Sequence, residues 1–182
     1  MVNLPNYLTI LRIAVVPIIV IFLFFPGKPA AFFASLLFSM AAITDLLDGY
    51  IARRHNAVTI LGKALDPLAD KLLITAALIM LIPLERVPAW VAVVIISREI
   101  AVTGLRGMTA REGSIISASN LGKYKTIFQD IALIGLLLHY EYLFVDFHVV
   151  GMFFLWVSLV VTIWSGIDYF YRFFKVTEGE DG

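Results

Sequence analysis

The sequence contains no cysteine and no excess charge of either sign, since fourteen lysines and arginines are matched by fourteen acids. The first absence excludes disulfides, zinc sites built on thiolates, and thiol nucleophiles. The second removes the electrostatic case for nucleic acid as a partner. Repeats and low-complexity stretches are absent as well. What fills the chain is apolar: 60% of its 182 residues, where soluble domains sit near half. A chain this short keeps much of its surface exposed, so one core cannot hide that excess. The surplus is expected to face lipid, in a single catalytic unit over residues 1–176.

Six stretches approach the roughly 20 residues that a membrane helix needs. They are Tyr7–Phe25, Ala30–Ala52, Leu65–Pro83, Pro88–Leu105, Thr126–Tyr140 and Val149–Phe174, the fifth being short and expected to begin nearer Ser119. Pro26-Gly27, Gly62, Pro83, Pro88, Gly107 and Gly113 punctuate the connectors. Arg12 ahead of the apolar run Ile13 to Phe25 has the outline of a signal peptide. The residues after it, Pro26-Gly27-Lys28-Pro29-Ala30, lack a small-x-small cleavage pattern, so the run reads as a retained first span. Residues 177–182 form an acidic tail that is expected to be disordered.

The basic residues set the orientation. Arg12, Arg53, Arg54, Lys63, Lys71, Arg98, Arg106, Arg111, Lys123, Lys125, Arg172 and Lys175 fall on one side, and only Lys28 and Arg86 on the other. The positive-inside rule then puts both termini in the cytoplasm. Trp90, Tyr140 and Tyr142 fall at outer ends, as interfacial aromatics do. The expected fold is all-α and polytopic, with six transmembrane helices.

Charges within spans are costly and ask for a function. The densest group runs from Asp45 to Lys71. Asp45 and Asp48 are three apart near the inner end of the second span and share a face. Asp66 and Asp70 are four apart at the start of the third and share another. Pro67 fits a first helical turn, where no N–H is needed. A short connector makes the two helices neighbours, so the four carboxylates can converge. Their mutual repulsion requires cations. An all-oxygen cluster suits Mg2+ or Mn2+, and two such ions about 4 Å apart serve phosphoryl transfer. Gly49 and Ala52 leave room on the same side, and Arg53 can fork onto phosphate oxygens. The competing view makes the aspartates interfacial charges paired with Arg53, Arg54, Lys63 and Lys71.

The pattern Asp-x2-Asp-Gly-x2-Ala-Arg-x8-Gly-x3-Asp-x3-Asp is filled by Asp45, Asp48, Gly49, Ala52, Arg53, Gly62, Asp66 and Asp70. It resembles the signature of the CDP-alcohol phosphotransferases. Three further runs resemble the branch of that family whose acceptor is glycerol 3-phosphate: Asn3 to Arg12, Asp66 to Leu72, and Ser97 to Arg106. The resemblance implies six helices, a homodimer and two divalent cations held by Asp45, Asp48, Asp66 and Asp70. It implies phosphatidyl transfer from CDP-diacylglycerol to sn-glycerol 3-phosphate with release of CMP. Asp70 would be the base for the acceptor hydroxyl. Asp48, Gly49, Ala52, Arg53 and Gly62 would shape the nucleotide pocket at the cytoplasmic face of the membrane.

A phosphorylated acceptor needs its own basic site. Arg98 and Arg106 are eight apart, about two helical turns, and share a face. Lys123 and Lys125 begin the next span on the same side. These four are the candidate phosphate clamp, against a reading as topology charges and headgroup contacts. Thr9 and Arg12 share the inner side and are candidates for the nucleotide. Thr44 either meets the acceptor or bonds its own helix. Most of Glu99, Asp130 and Asp168 are expected to be structural partners of basic groups, and no histidine is assigned. Two alternatives remain. One is a sister enzyme with inositol phosphate, serine or a phospholipid as acceptor. The other is an ion transporter using intramembrane acids, disfavoured because the acids sit at one face and not at the midplane.

Overall fold

The computed structural model describes residues 4–55, 60–111 and 120–178. Among these, six helices run in sequence: α1 Leu4–Leu23, α2 Lys28–His55, α3 Ile60–Leu81, α4 Ala89–Arg111, α5 Asn120–Leu138 and α6 Phe147–Glu178. Pro26-Gly27 and Pro88 act where expected, whereas Gly62 and Gly107 lie inside α3 and α4 and break neither, because helix-favouring neighbours carry a single glycine; Gly113 lies outside the described residues. Gly27 takes φ 120° between α1 and α2, and Phe24 and Phe25 donate back to the Ile21 and Phe22 carbonyls, both at 3.1 Å, to tighten the last turn. Pro88 precedes α4 and its carbonyl accepts from Val91 and Ala92.

Several helices begin earlier or end later than their apolar runs. α3 starts at Ile60 and not at Leu65, which puts Pro67 inside the helix. That corrects its expected place in the first turn: its missing N–H leaves the Lys63 carbonyl without the usual helical donor. Hydropathy marks where lipid begins, whereas a helix continues through Lys, Ala and Leu, which favour it on either side of that boundary. α5 begins at Asn120, and α6 extends through Glu178. Residues 179–182, the rest of the expected tail, lie outside the described residues. Among the described residues, one helical stretch, Phe147–Lys175, is long and apolar enough to cross a membrane by composition alone; Thr9–Leu23 is a shorter one.

α5 and α6 form the tightest pair, α1 packs on α2 and α3, and α4 leans on α6. Phe38, Leu78, Ile95, Leu133, Leu136 and Leu155 are fully buried at the centre. Large apolar side chains also point outward from every helix, for example Ile21, Phe33, Ile79, Val93, Ile127 and Val160. Helices apolar on both faces suit a lipid environment.

The α5–α6 contact depends on two glycines. A Cβ on Gly151 would lie 2.7 Å from the Leu136 backbone nitrogen, and one on Gly135 2.8 Å from the Gly151 Cα. Small residues allow such close backbone approach between membrane helices. Because the obstructing atoms are backbone, Gly151→Ala is expected to cost about 1–3 kcal/mol, the usual range for overpacking. The measurement is the thermal midpoint of the purified variant in detergent; an unchanged midpoint would mean that the helices separate at no cost.

The connection between these two helices carries a feature that the sequence did not announce, a hairpin of β1 Glu141–Tyr142 and β2 Val145–Asp146. Arg86, 8% exposed, donates to the Leu136 and Leu137 carbonyls at 3.3 and 3.1 Å and so caps α5. His139 follows in the left-handed region (φ 61°), its N–H donating to the Gly135 carbonyl at 2.8 Å. Its Nδ1 lies 3.2 Å from Nδ1 of His148, so one of these nitrogens carries no proton. Burial first, then the Arg86 guanidinium and His148, push the His139 pKa below the ordinary 6.5, with Asp146 opposing. The unfolded chain therefore binds more protons in mild acid. This part of the stability is present above pH 6.5 and is lost as pH falls below it. His139→Gln should show a smaller drop in thermal midpoint between about pH 7.5 and pH 5.5 than the parent protein. An equal drop would exclude the histidine pair as its source.

Candidate active site

One end of the bundle gathers many of the charged residues. On α1, Thr9 (1% exposed) and Arg12 (3%) lie one turn apart and are buried against the neighbouring helices. Arg12 Nη1 donates to Asp45 Oδ1 of α2 at 2.5 Å. Thr44 donates to the Met40 carbonyl at 2.6 Å, the bond within its own helix. Asp48, Gly49, Ala52 and Arg53 lie on α2, and Gly62 and Asp66 on α3; their side chains and surroundings fall outside the described residues.

Asp70, on α3, feels the charges of Asp45 on α2 and Glu99 on α4. Asp130, on α5, feels both Asp70 and Asp45. Three helices thus bring Asp45, Asp70 and Asp130 within electrostatic reach. Asp45 takes Arg12, while neither Asp70 nor Asp130 has an ion-pair or hydrogen-bond partner among the described residues. Among those residues no three acidic or histidine side chains are close enough to ligate one metal ion. The donor chemistry nonetheless fits hard divalent cations: gathered carboxylates, two of them in no ion pair or hydrogen bond among the described residues, and no sulfur.

Beside Asp70 opens a cavity of about 230 Å³. All four clamp candidates line it: Arg98 and Arg106 from α4, Lys123 and Lys125 from the first turns of α5. Lys71 joins them, so five cations face two carboxylates, Asp70 and Glu99. Glu99 is the organising anion. One of its oxygens accepts from Lys125 and from Arg98 Nη1 (3.1 Å), and the other lies 3.5 Å from Lys71. It is thereby a structural partner of basic groups, as expected, and Asp168 pairs with Arg172 one turn away at 3.1 Å.

α6 forms a wall of this cavity that the sequence reading missed. Arg98 Nη2 donates to Ser165 Oγ at 2.9 Å, and Ser165 in turn donates to the Thr162 carbonyl. Gly166 leaves space for the arginine stem, since a Cβ there would sit 3.3 Å from Arg98 Cγ. The Arg106 guanidinium lies 5.9 Å from the centre of the Tyr169 ring, within cation–π range. A signal for this wall exists in the chain. Ser158, Thr162, Ser165 and Tyr169 recur every three or four residues along an otherwise apolar helix, and all four are buried. A polar stripe at that period marks an inward face.

A family model described as CDP-alcohol phosphatidyltransferase matches residues 2–164, nearly the whole bundle. The chain belongs to the CDP-alcohol phosphatidyltransferase family. Membership makes it an enzyme of phospholipid synthesis. Relatives named CDP-diacylglycerol–glycerol-3-phosphate 3-phosphatidyltransferase match it almost end to end. The protein from Bacillus subtilis (strain 168) is 47% identical, over 93% of this chain and 94% of its own. That from Rickettsia felis is 42% identical over 92% and 93%, and that from Haemophilus influenzae 38% identical over 92% and 91%. Carboxylates in no ion pair among the described residues, Asp70 and Asp130, stand beside or near a cavity rich in basic side chains.

Proposed function

We propose that the protein transfers a phosphatidyl group from CDP-diacylglycerol to sn-glycerol 3-phosphate, releasing CMP. The observation that carries this reading is the shared cavity, in which Asp70 stands beside Arg98, Arg106, Lys123 and Lys125. A proton acceptor and the counter-charges for a phosphate dianion are then neighbours. The names of the relatives support the same acceptor.

In this reading Asp45, Asp48, Asp66 and Asp70 hold two divalent cations, Mg2+ or Mn2+, which when bound neutralise charge on the pyrophosphate and on departing CMP. Asp48, Gly49, Ala52, Arg53 and Gly62 surround the nucleotide, with Thr9 and Arg12 beneath it. The two clamp arginines fork onto the acceptor phosphate and the lysines add point charges. Asp70 takes the proton of the acceptor hydroxyl as its oxygen bonds to the lipid-side phosphorus and the bond to CMP breaks. The helices are six membrane spans, with both termini and the cavity on the cytoplasmic side of the cytoplasmic membrane. The outward apolar side chains and the one-sided basic residues support that topology. The diacyl tails then stay in lipid while the nucleotide remains in water. A homodimer belongs to the same reading.

The test is CMP release by purified protein in detergent, with CDP-diacylglycerol, Mg2+ or Mn2+, and one acceptor at a time. Release with glycerol phosphate and not with serine, inositol phosphate or phosphatidylglycerol is expected. Release with another acceptor alone would keep the metal site and overturn the acceptor. No release from folded protein would favour the transport reading.

A further inference from the structure

The hairpin between α5 and α6 turns through Leu143 and Phe144, both in the left-handed region at φ 50° and 66°. Two successive positive φ values make the turn that matches the twist of a two-residue hairpin, and Asn-Gly is its usual sequence in water. A leucine and a phenylalanine adopt it against the steric resistance of their Cβ atoms. They are also the most exposed large apolar side chains among the described residues, at 92% and 98%. A strained turn that displays two bulky apolar groups needs an environment that rewards the display.

The hairpin is firmly fixed at its base. Tyr142 donates its hydroxyl to the Lys28 carbonyl at 3.1 Å, and the Lys28 ammonium sits 5.8 Å from the Tyr142 ring centre. Asp146 accepts from the His148 and Val149 N–H groups and caps α6. Polarity is ordered along the hairpin: Glu141 and Asp146 face each other at the base, and the apolar pair occupies the tip. A turn built for water has the reverse order. Two strand residues reach about 7 Å from the helix ends, comparable to the interfacial layer, roughly 5–7 Å on each side of the hydrocarbon.

We propose that this hairpin is an interfacial anchor, with Leu143 and Phe144 lying in the interfacial layer of the outer leaflet and Lys28, whose ammonium also donates to the Glu141 carbonyl at 3.4 Å, at the headgroups. The proposal rests on the six-span reading. Lipid is favoured over a second protein because a two-residue tip falls far short of the roughly 800 Å² per partner of a stable protein interface, while an amphipathic tip next to aromatic residues suits the membrane interface.

The chain has no cysteine, so Phe144→Cys introduces a single thiol for a nitroxide label at a position whose side chain packs on nothing. Val160→Cys, on the outward face of α6 and 64% exposed, is the reference for a membrane span. The protein is placed in lipid nanodiscs, and each label is tested for collision with oxygen, which prefers lipid, and with a water-soluble nickel chelate. The label at 144 is expected to collide preferentially with oxygen, at a shallower depth than the label at 160. Preference for nickel at 144, with 160 in lipid, overturns the anchor and leaves the spans intact. Shielding of 144 from both reagents replaces lipid with a protein contact and also overturns it. Nickel access at 160 overturns the topology on which the proposal stands. Leu143→Cys repeats the measurement one residue away.

Discussion

Asp70→Asn is expected to lower kcat by about three orders of magnitude or more, because in the proposed mechanism one carboxylate is both general base and cation ligand, and general-base catalysis alone contributes roughly 100- to 10,000-fold. The fold should survive. Asn has the same shape, and Asp70 makes no ion pair or hydrogen bond among the described residues that the change would break. Without metal the variant should be at least as stable as the parent, since a buried charge is removed and Asp45, Asp130 and Glu99 lose a like-charged neighbour, which together outweigh the lost attraction of Lys71 and Lys125. With Mg2+ the order reverses. A cation that binds only the folded state raises the thermal midpoint by mass action, and a variant lacking one ligand gains less. The two readouts are turnover and the magnesium-induced shift of the midpoint. Near-normal turnover would remove Asp70 from the chemistry. An undiminished magnesium shift would remove it from the metal site.

Arg106→Ala should raise KM for sn-glycerol 3-phosphate by about 10- to 100-fold, the equivalent of roughly 1.5–3 kcal/mol for a charge-assisted hydrogen bond. KM for CDP-diacylglycerol should stay near the parent value. The arginine is exposed on the cavity and touches no carboxylate among the described residues, so its removal leaves no orphaned charge. Tyr169→Leu, which removes the ring beneath the guanidinium, should raise the same KM by a smaller factor, about two- to fivefold for a partly exposed cation–π contact. Tyr169→Phe, which keeps the ring, should restore it. Equal changes in the two substrates' KM would make Arg106 a topology charge and nothing more. Arg98 is a poorer probe, because Glu99 and Ser165 both bind it and its loss would disturb Lys125 as well.

Much of the candidate site is written in local spacing. Asp45 and Asp48, Asp66 and Asp70, and Arg98 and Arg106 are paired at intervals of three, four and eight, and a helix turns each interval into a shared face. The charge hub at Glu99 was less legible. Its partners Lys71 and Lys125 come from α3 and α5, and an acid beside Arg98 looks like any local pair. Asp130 was visible as an intramembrane acid, but not as a neighbour of Asp45 and Asp70, because that relation crosses three helices.

The sequence by itself determined the class of the molecule: an excess of apolar residues over what soluble domains carry, and an aspartate pattern with fixed periods. These are properties of composition and of the 3.6-residue turn, so they need no knowledge of which helices touch. Only the tertiary structure decided which distant groups meet. It set α6 behind the clamp, with Ser165 on Arg98 and Tyr169 under Arg106. It brought α5 against α6 at Gly135 and Gly151, and formed a hairpin between them. Such contacts arise from side-chain shapes fitting across helices far apart in the chain, and no local period encodes that fit.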